Sequence, residues 1–181
     1  MAGRASWLAL LLPPAAAVAG PAHATVYMTV EAAQRQMFPA ATGFAERSVD
    51  LSPQQRKAIA RASGEHAPKT LQIWEAHQDS KRQGWFVLGR AIGKHDYITF
   101  AVALNPDGRI RSVEILEYRE TYGGEIRNPR WRKQFVGKGP DAELKLDRDI
   151  KNISGATLSC QHVTQGIKAL LAAVDLLFVN S

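Results

Sequence analysis

Asp149-Ile150-Lys151-Asn152-Ile153-Ser154-Gly155-Ala156-Thr157-Leu158-Ser159 joins a basic loop to the last helical segment of the chain. Beyond it, Cys160, Val163, Ile167, Leu170, Leu171, Val174, Leu177 and Phe178 recur in steps of three and four, laying one apolar stripe against a core. Ser154 to Thr157 therefore stands at or just before a helix N-terminus. Free backbone N–H groups and the positive end of the helix dipole favour a phosphate there. Gly155 and Ala156 add almost no side chain, so a phosphate or another protein's active site can approach the backbone. Thr157 offers a hydroxyl beside that position, and Ser154, Leu158 and Ser159 complete its surroundings. The plainer alternative is a Ser/Thr helix cap, with Thr157 in that role.

The stretch before this helix changes period. Thr70–Gln78, Gly84–Ile92, Tyr97–Leu104 and Arg109–Arg119 are rich in β-branched and aromatic residues and are separated by turn residues. Asn105-Pro106-Asp107-Gly108 makes the third and fourth strands an antiparallel hairpin. The apolar phase of the fourth strand slips between Ile110 and Val113–Ile115, which predicts a bulge. Upstream, Thr29 to Phe38 has the spacing of a short amphipathic helix. Leu51-Ser52-Pro53-Gln54-Gln55 starts a second helix with a capping box, and that helix runs to about Ala62 and stops at Ser63-Gly64. The predicted fold class is α+β: an antiparallel sheet with N-terminal helices and a packed C-terminal helix, in a single domain.

Residues 1–24 read as a signal peptide, with Arg4, a short apolar core and Ala22-His23-Ala24 as a small-x-small cleavage site. Cleavage after Ala24 predicts an exported, periplasmic protein. The apolar run, broken by Pro13-Pro14, is short of the roughly 20 residues that span a bilayer, so no transmembrane helix is expected after cleavage. The division expected is 1–24 signal peptide, 25–69 N-terminal helical segment and 70–181 ligand domain. Cys160 is the one cysteine, which rules out an internal disulfide, a Cys-x-x-Cys-His haem site and a cysteine cluster for iron–sulfur or zinc. It lies on the apolar stripe and reads as a small core residue. The net charge is +6, and removal of Arg4 lowers it by one. With no nucleic-acid motif present, that charge fits a phosphate or an anionic protein partner better than nucleic acid.

A second candidate stretch follows the fourth strand. Glu120-Thr121-Tyr122-Gly123-Gly124 ends that strand in a Gly-Gly turn where a flat ligand can lie close to the backbone. Trp131 and Phe135, four apart, read as core residues of a short helix rather than as ring contacts. No catalytic constellation and no metal motif is present: there is no Ser-His-Asp arrangement, no His-Glu metal motif and no dinucleotide fingerprint.

Ser154-Gly155-Ala156-Thr157 followed by Leu158-Ser159 and a helix resembles the flavinylation motif of the FMN-binding domain family. Glu120-Thr121, Gly123-Gly124, Trp131 and Phe135-Val136-Gly137-Lys138 resemble its second landmark, in the same order. Tyr122 stands where the family usually has proline, and Lys151 where it commonly has aspartate, with Asp149 two residues upstream. The resemblance implies FMN held covalently through a phosphoester on Thr157, installed by a separate flavin transferase. It implies an electron carrier more than a stand-alone enzyme. Its redox partner would be a membrane flavocytochrome, a cytochrome c or a quinone-linked complex. Ser154, Gly155, Ala156, Leu158 and Ser159 would shape the phosphate pocket, and Glu120, Thr121, Tyr122, Gly123 and Gly124 would contact the flavin. Lys138, Lys151 and His162 are candidates for balancing charge, or plain surface residues. A non-covalent ligand-binding domain and an adaptor module are the alternatives.

Overall fold

The computed structural model describes residues 25–119 and 123–180. The signal-peptide reading and the candidates Glu120, Thr121 and Tyr122 lie outside the described residues. Strands β1 (Thr25–Val26), β2 (Gly43–Glu46), β3 (Val49–Asp50), β4 (Thr70–Gln78), β5 (Lys81–Ile92), β6 (Tyr97–Leu104) and β7 (Ile110–Tyr118) form one antiparallel sheet. Its order is β1-β7-β6-β5-β4-β2, with β3 also on β4. The helices are α1 (Val30–Met37), α2 (Pro53–Ser63), α3 (Pro129–Arg132) and α4 (Thr157–Val174), the last continuing as a π-helical turn, Asp175–Val179. The α+β architecture expected from the sequence is what the structure shows.

Residues 25–69 also contribute three strands, which their helical patterning did not reveal. Residues 43–50 follow β4 as an edge broken near Arg47 and Ser48, where the Ser48 hydroxyl accepts from the Ile73 N–H. The two helices of this segment form as their sequence predicts. Thr29 caps α1 through the Ala32 N–H, and Ser52 with Gln55 makes a reciprocal capping box on α2. Gly64 ends α2 in the left-handed conformation that glycine adopts without strain.

Alternation along the strands divides the core in two. Ala33, Met37 and Phe38 from α1 cover Ala76, Phe86, Ala101, Ala103 and Leu116 on one face. The other face packs Leu71, Ile73, Val87, Phe100, Val102 and Val113 against Cys160, Val163, Ile167, Leu170 and Leu171 of α4. Each such large side chain, fully buried, stabilises the fold by roughly 1.5–3 kcal/mol. Gly89 and Gly166 flank the Phe100 ring, and a Cβ on Gly89 would lie 2.4 Å from Phe100 Cζ, so glycine is what lets the helix approach the sheet here. The stretch Thr157–Val179 is long and apolar enough to cross a membrane by composition. Nine buried apolar residues of α4, from Cys160 to Val174, account for much of that apolar content.

Strand β7 carries two irregularities: the one between Ile110 and Val113 that its slipped apolar phase predicts, and a second at Leu116 that the sequence did not reveal. Leu104 pairs with Ile110 and Ala103 with Ser112, leaving Arg111 extra; Phe100 pairs with Ile115 and Thr99 with Glu117, leaving Leu116 extra. The Leu116 carbonyl accepts N–H bonds from Tyr27 and Met28. After this bulge the strand phase is reversed, so Tyr118 faces α4 instead of α1. A bulge that re-aims one side chain is a common device beside functional sites.

Candidate functional site

Tyr118 meets the start of α4. Its hydroxyl lies 3.0 Å from Ser159 Oγ, both groups buried. The chain then returns to this contact at Gly123, whose φ of 93° is left-handed. A Cβ on Gly123 would lie 2.5 Å from the Tyr118 hydroxyl, 3.0 Å from Ser159 Oγ and 3.6 Å from Ala156 Cα. The two stretches singled out in the sequence are therefore in contact, the Gly-Gly turn lying against Ala156 and Ser159. Around Gly124 the space is open: an added Cβ would meet nothing within 4 Å.

The N-terminus of α4 is uncapped by any side chain. Ala156 occupies the cap position with extended-to-bridge backbone (φ −120°, ψ 18°), and no side chain accepts from the first turn. The reading of Thr157 as a simple N-cap is thus corrected: Thr157 is the first helical residue, and its exposed hydroxyl accepts from Asn152 Nδ2 at 3.0 Å. Gly155, also left-handed (φ 86°), has open space where a side chain would stand. Ser154, Gly155, Thr157 and Leu158 are exposed, while Ala156 and Ser159 are buried beneath them. A phosphate suits this arrangement, because it would meet N–H groups, a helix dipole and no side-chain obstruction.

The basic loop before the helix is held from the core side. Trp131 and Phe135 are buried edge-to-face at 5.1 Å, confirming them as core residues. Trp131 Nε1 donates to the Lys151 carbonyl (2.9 Å) and the Lys151 N–H donates to Gln134 Oε1 (2.7 Å). Asp149 accepts from the Leu144 and Lys145 N–H groups and from Lys138 Nζ at 3.0 Å. Burial is the largest influence on its carboxyl and works upward, yet the Lys145 N–H, the Lys138 ammonium and the Leu144 N–H together hold it below its ordinary value. Asp149 is therefore committed to folding its own loop, and Lys138 to Asp149. His162 sits on the flank of α4 with Nδ1 against the Ile92 carbonyl, away from Thr157's neighbours. Of the three charge-balancing candidates only Lys151 is exposed close to the motif. Burial pushes the Cys160 thiol up, which suits an inert core residue.

On its other side Thr157 borders a cleft of about 590 Å³ lined by Gly64, Glu65, Leu144, Asp147, Gln161 and Lys168, among others. Leu144 and Asp147 both have left-handed backbone (φ 46° and 61°). Among the described residues no group of His, Cys, Asp and Glu could hold a metal ion. Sequence reasoning passed over Tyr118 and Asn152. The first is visible only once the bulge is placed; the second lies in a polar loop where nothing local marks it.

Residues 93–172, which hold the Gly123–Gly124 turn and the start of α4, match the model of the FMN-binding domain family. The resemblance to this family read from Ser154–Ser159 and Phe135–Lys138 is thus shown. One component of the proton-translocating ferredoxin:NAD(+) oxidoreductase complex of Clostridium ljungdahlii is 27% identical over 108 residues, 56% of this chain and 58% of the relative. One component of the Na(+)-translocating NADH-quinone reductase of Haemophilus ducreyi is 34% identical over 83 residues, 37% of this chain and 32% of the relative. In both cases the match spans less than two thirds of the relative's length. The crystal structure of NqrC from Shewanella oneidensis shares the fold, with a TM-score of 0.55 at 18% identity over 81% of this chain and 86% of that one.

Proposed function

We propose that this chain is an exported, periplasmic electron-transfer flavoprotein that carries FMN through a phosphoester on Thr157, attached by a separate flavin transferase. The observation that carries this reading is the exposed Thr157 hydroxyl at a helix start that no side chain caps, in contact range of a glycine turn. FMN, when bound, supplies one- or two-electron chemistry; the protein supplies position and surroundings. Here the α4 N–H groups and dipole would hold the phosphate. Gly155 keeps the approach open, and Ser159, fixed by Tyr118, closes the pocket floor. The turn at Gly123 and Gly124, with Glu120, Thr121 and Tyr122 beside it in sequence, would contact the flavin. A covalent tether retains the cofactor in a compartment that does not make it, by keeping its local concentration high.

The relatives named above belong to redox complexes, which supports a partner of that kind for this chain. A membrane flavocytochrome, a cytochrome c or a quinone-linked complex would each deliver or accept electrons at an exposed flavin edge. The signal-peptide reading of residues 1–24 supports the exported location.

The test is the intact mass of the exported protein co-expressed with a flavin transferase, followed by peptide mapping after denaturation. The expected result is a gain of FMN less one water on the peptide containing Thr157. An unmodified chain beside a control protein that the transferase does modify would overturn the covalent reading in favour of non-covalent binding or an adaptor role.

A further inference from the structure

We infer that Asn152 is a positioning residue for the transfer of the flavin nucleotide onto Thr157, an assignment that rests on the covalent reading above. Its carboxamide makes two bonds of opposite sense. Oδ1 accepts the Ile153 N–H at 2.8 Å, and Nδ2 donates to Thr157 Oγ1 at 3.0 Å. The first bond fixes the second, because an amide whose oxygen is held by a backbone N–H presents its nitrogen to the other side. The base of this arm is rigid. The preceding residue, Lys151, is gripped at its N–H by Gln134 and at its carbonyl by the buried Trp131, and Ile150 is wholly buried.

The consequence for Thr157 is geometric. One lone pair of Oγ1 takes the Asn152 N–H, which leaves the hydroxyl proton and the other lone pair to the remaining directions on an exposed side chain. A phosphoryl acceptor needs both: nucleophilic oxygen open to the phosphorus, proton accessible to an external base. In the transfer, Thr157 Oγ1 forms a bond to the flavin-side phosphorus of flavin adenine dinucleotide. The P–O bond to the adenosine half breaks, AMP leaves, and the hydroxyl proton passes to a base on the transferase. No electrons change hands. In this chain the side chain that reaches the acceptor hydroxyl is Asn152.

Two substitutions separate this role from a merely structural one. Asn152→Asp keeps the size of the side chain and its bond to the Ile153 N–H but cannot donate to Thr157; Asn152→Ala loses both bonds. Full-length chain is incubated with transferase and flavin adenine dinucleotide, and intact mass is followed in time alongside thermal melting. Both variants are expected to be modified about five- to tenfold more slowly, the effect of one hydrogen bond, with melting unchanged. Asn152→Asp reacting at or above the wild-type rate overturns the assignment, as does a slowing that tracks lost thermal stability. A wild type that stays unmodified beside a modified control overturns the covalent reading, and this assignment with it.

Discussion

Helices α2 and α4 begin in opposite ways. At α2, Ser52 Oγ accepts the Gln55 N–H at 3.2 Å, Gln55 Oε1 accepts the Ser52 N–H at 2.9 Å, and Pro53 brings no N–H at all. At α4 the cap position is Ala156, whose methyl group offers no acceptor, and the Thr157 hydroxyl lies inside the helix and accepts from Asn152 Nδ2. An N-terminus leaves its first N–H groups without helical partners, and a stable helix satisfies them with side chains, water or a ligand. The chain closes one start with its own side chains and leaves the other open, flanked by two left-handed glycines, Gly123 and Gly155. The difference teaches that α2 starts where packing needs it, whereas α4 starts where a ligand can use it.

The largest expected effect breaks this comparison at its functional end. Thr157→Ala removes the acceptor hydroxyl, so covalent flavin should vanish entirely from the intact mass spectrum. Because Thr157 caps nothing and is exposed, folding stability should stay within about 0.5 kcal/mol of wild type by urea unfolding. A variant that still carries flavin would show that another residue is the acceptor. One that loses flavin only because it unfolds would return Thr157 to a structural role.

Next in size is Gly123→Ala, which attacks the contact between the two halves of the site. The added Cβ would enter within 2.5 Å of the Tyr118 hydroxyl, at a φ that alanine rarely adopts. The expected cost is about 1–3 kcal/mol in unfolding free energy, from overpacking and backbone strain together. Flavin attachment should also slow, since the Tyr118–Ser159 hydrogen bond sits under the α4 start. Unaltered stability would mean that the turn rests less tightly on Ser159 than the distances indicate.

Local patterns made much of this legible. The capping box at Ser52 and Gln55, the α4 stripe and the slipped phase of β7 each lie within one element, and a period or a pair of residues reveals them. Strand β2 was missed because Gly43–Glu46 is four residues long, lacks clean alternation, and exists only by pairing with β4. The candidate site divided in the same way. The motif at Ser154–Ser159 and the turn at Gly123–Gly124 were readable separately, but their contact depends on a bulge at Leu116 that redirects Tyr118. Asn152 was overlooked for a different reason. Asp149 and Lys151 drew notice through the family's aspartate position, yet Asp149 is occupied with its own loop, while an uncharged amide makes the bond to Thr157.

The smallest effect sharpens the comparison from the other side. Ser52→Ala opens the closed helix start by removing the oxygen that accepts the Gln55 N–H, while the backbone N–H at position 52 can still donate to Gln55 Oε1. The expected loss is about 1 kcal/mol, read as a lower urea midpoint with an unchanged slope. Flavin attachment at Thr157 should proceed at the wild-type rate, because it is the C-terminal end of α2, at Ser63 and Gly64, that borders the Thr157 cleft. Thr157→Ala and Ser52→Ala then form a crossed pair: one abolishes modification and spares stability, the other lowers stability and spares modification. If both variants changed both quantities, the two helix starts would be energetically coupled through the shared core of α2 and α4, and the open start would have to be counted as part of the fold.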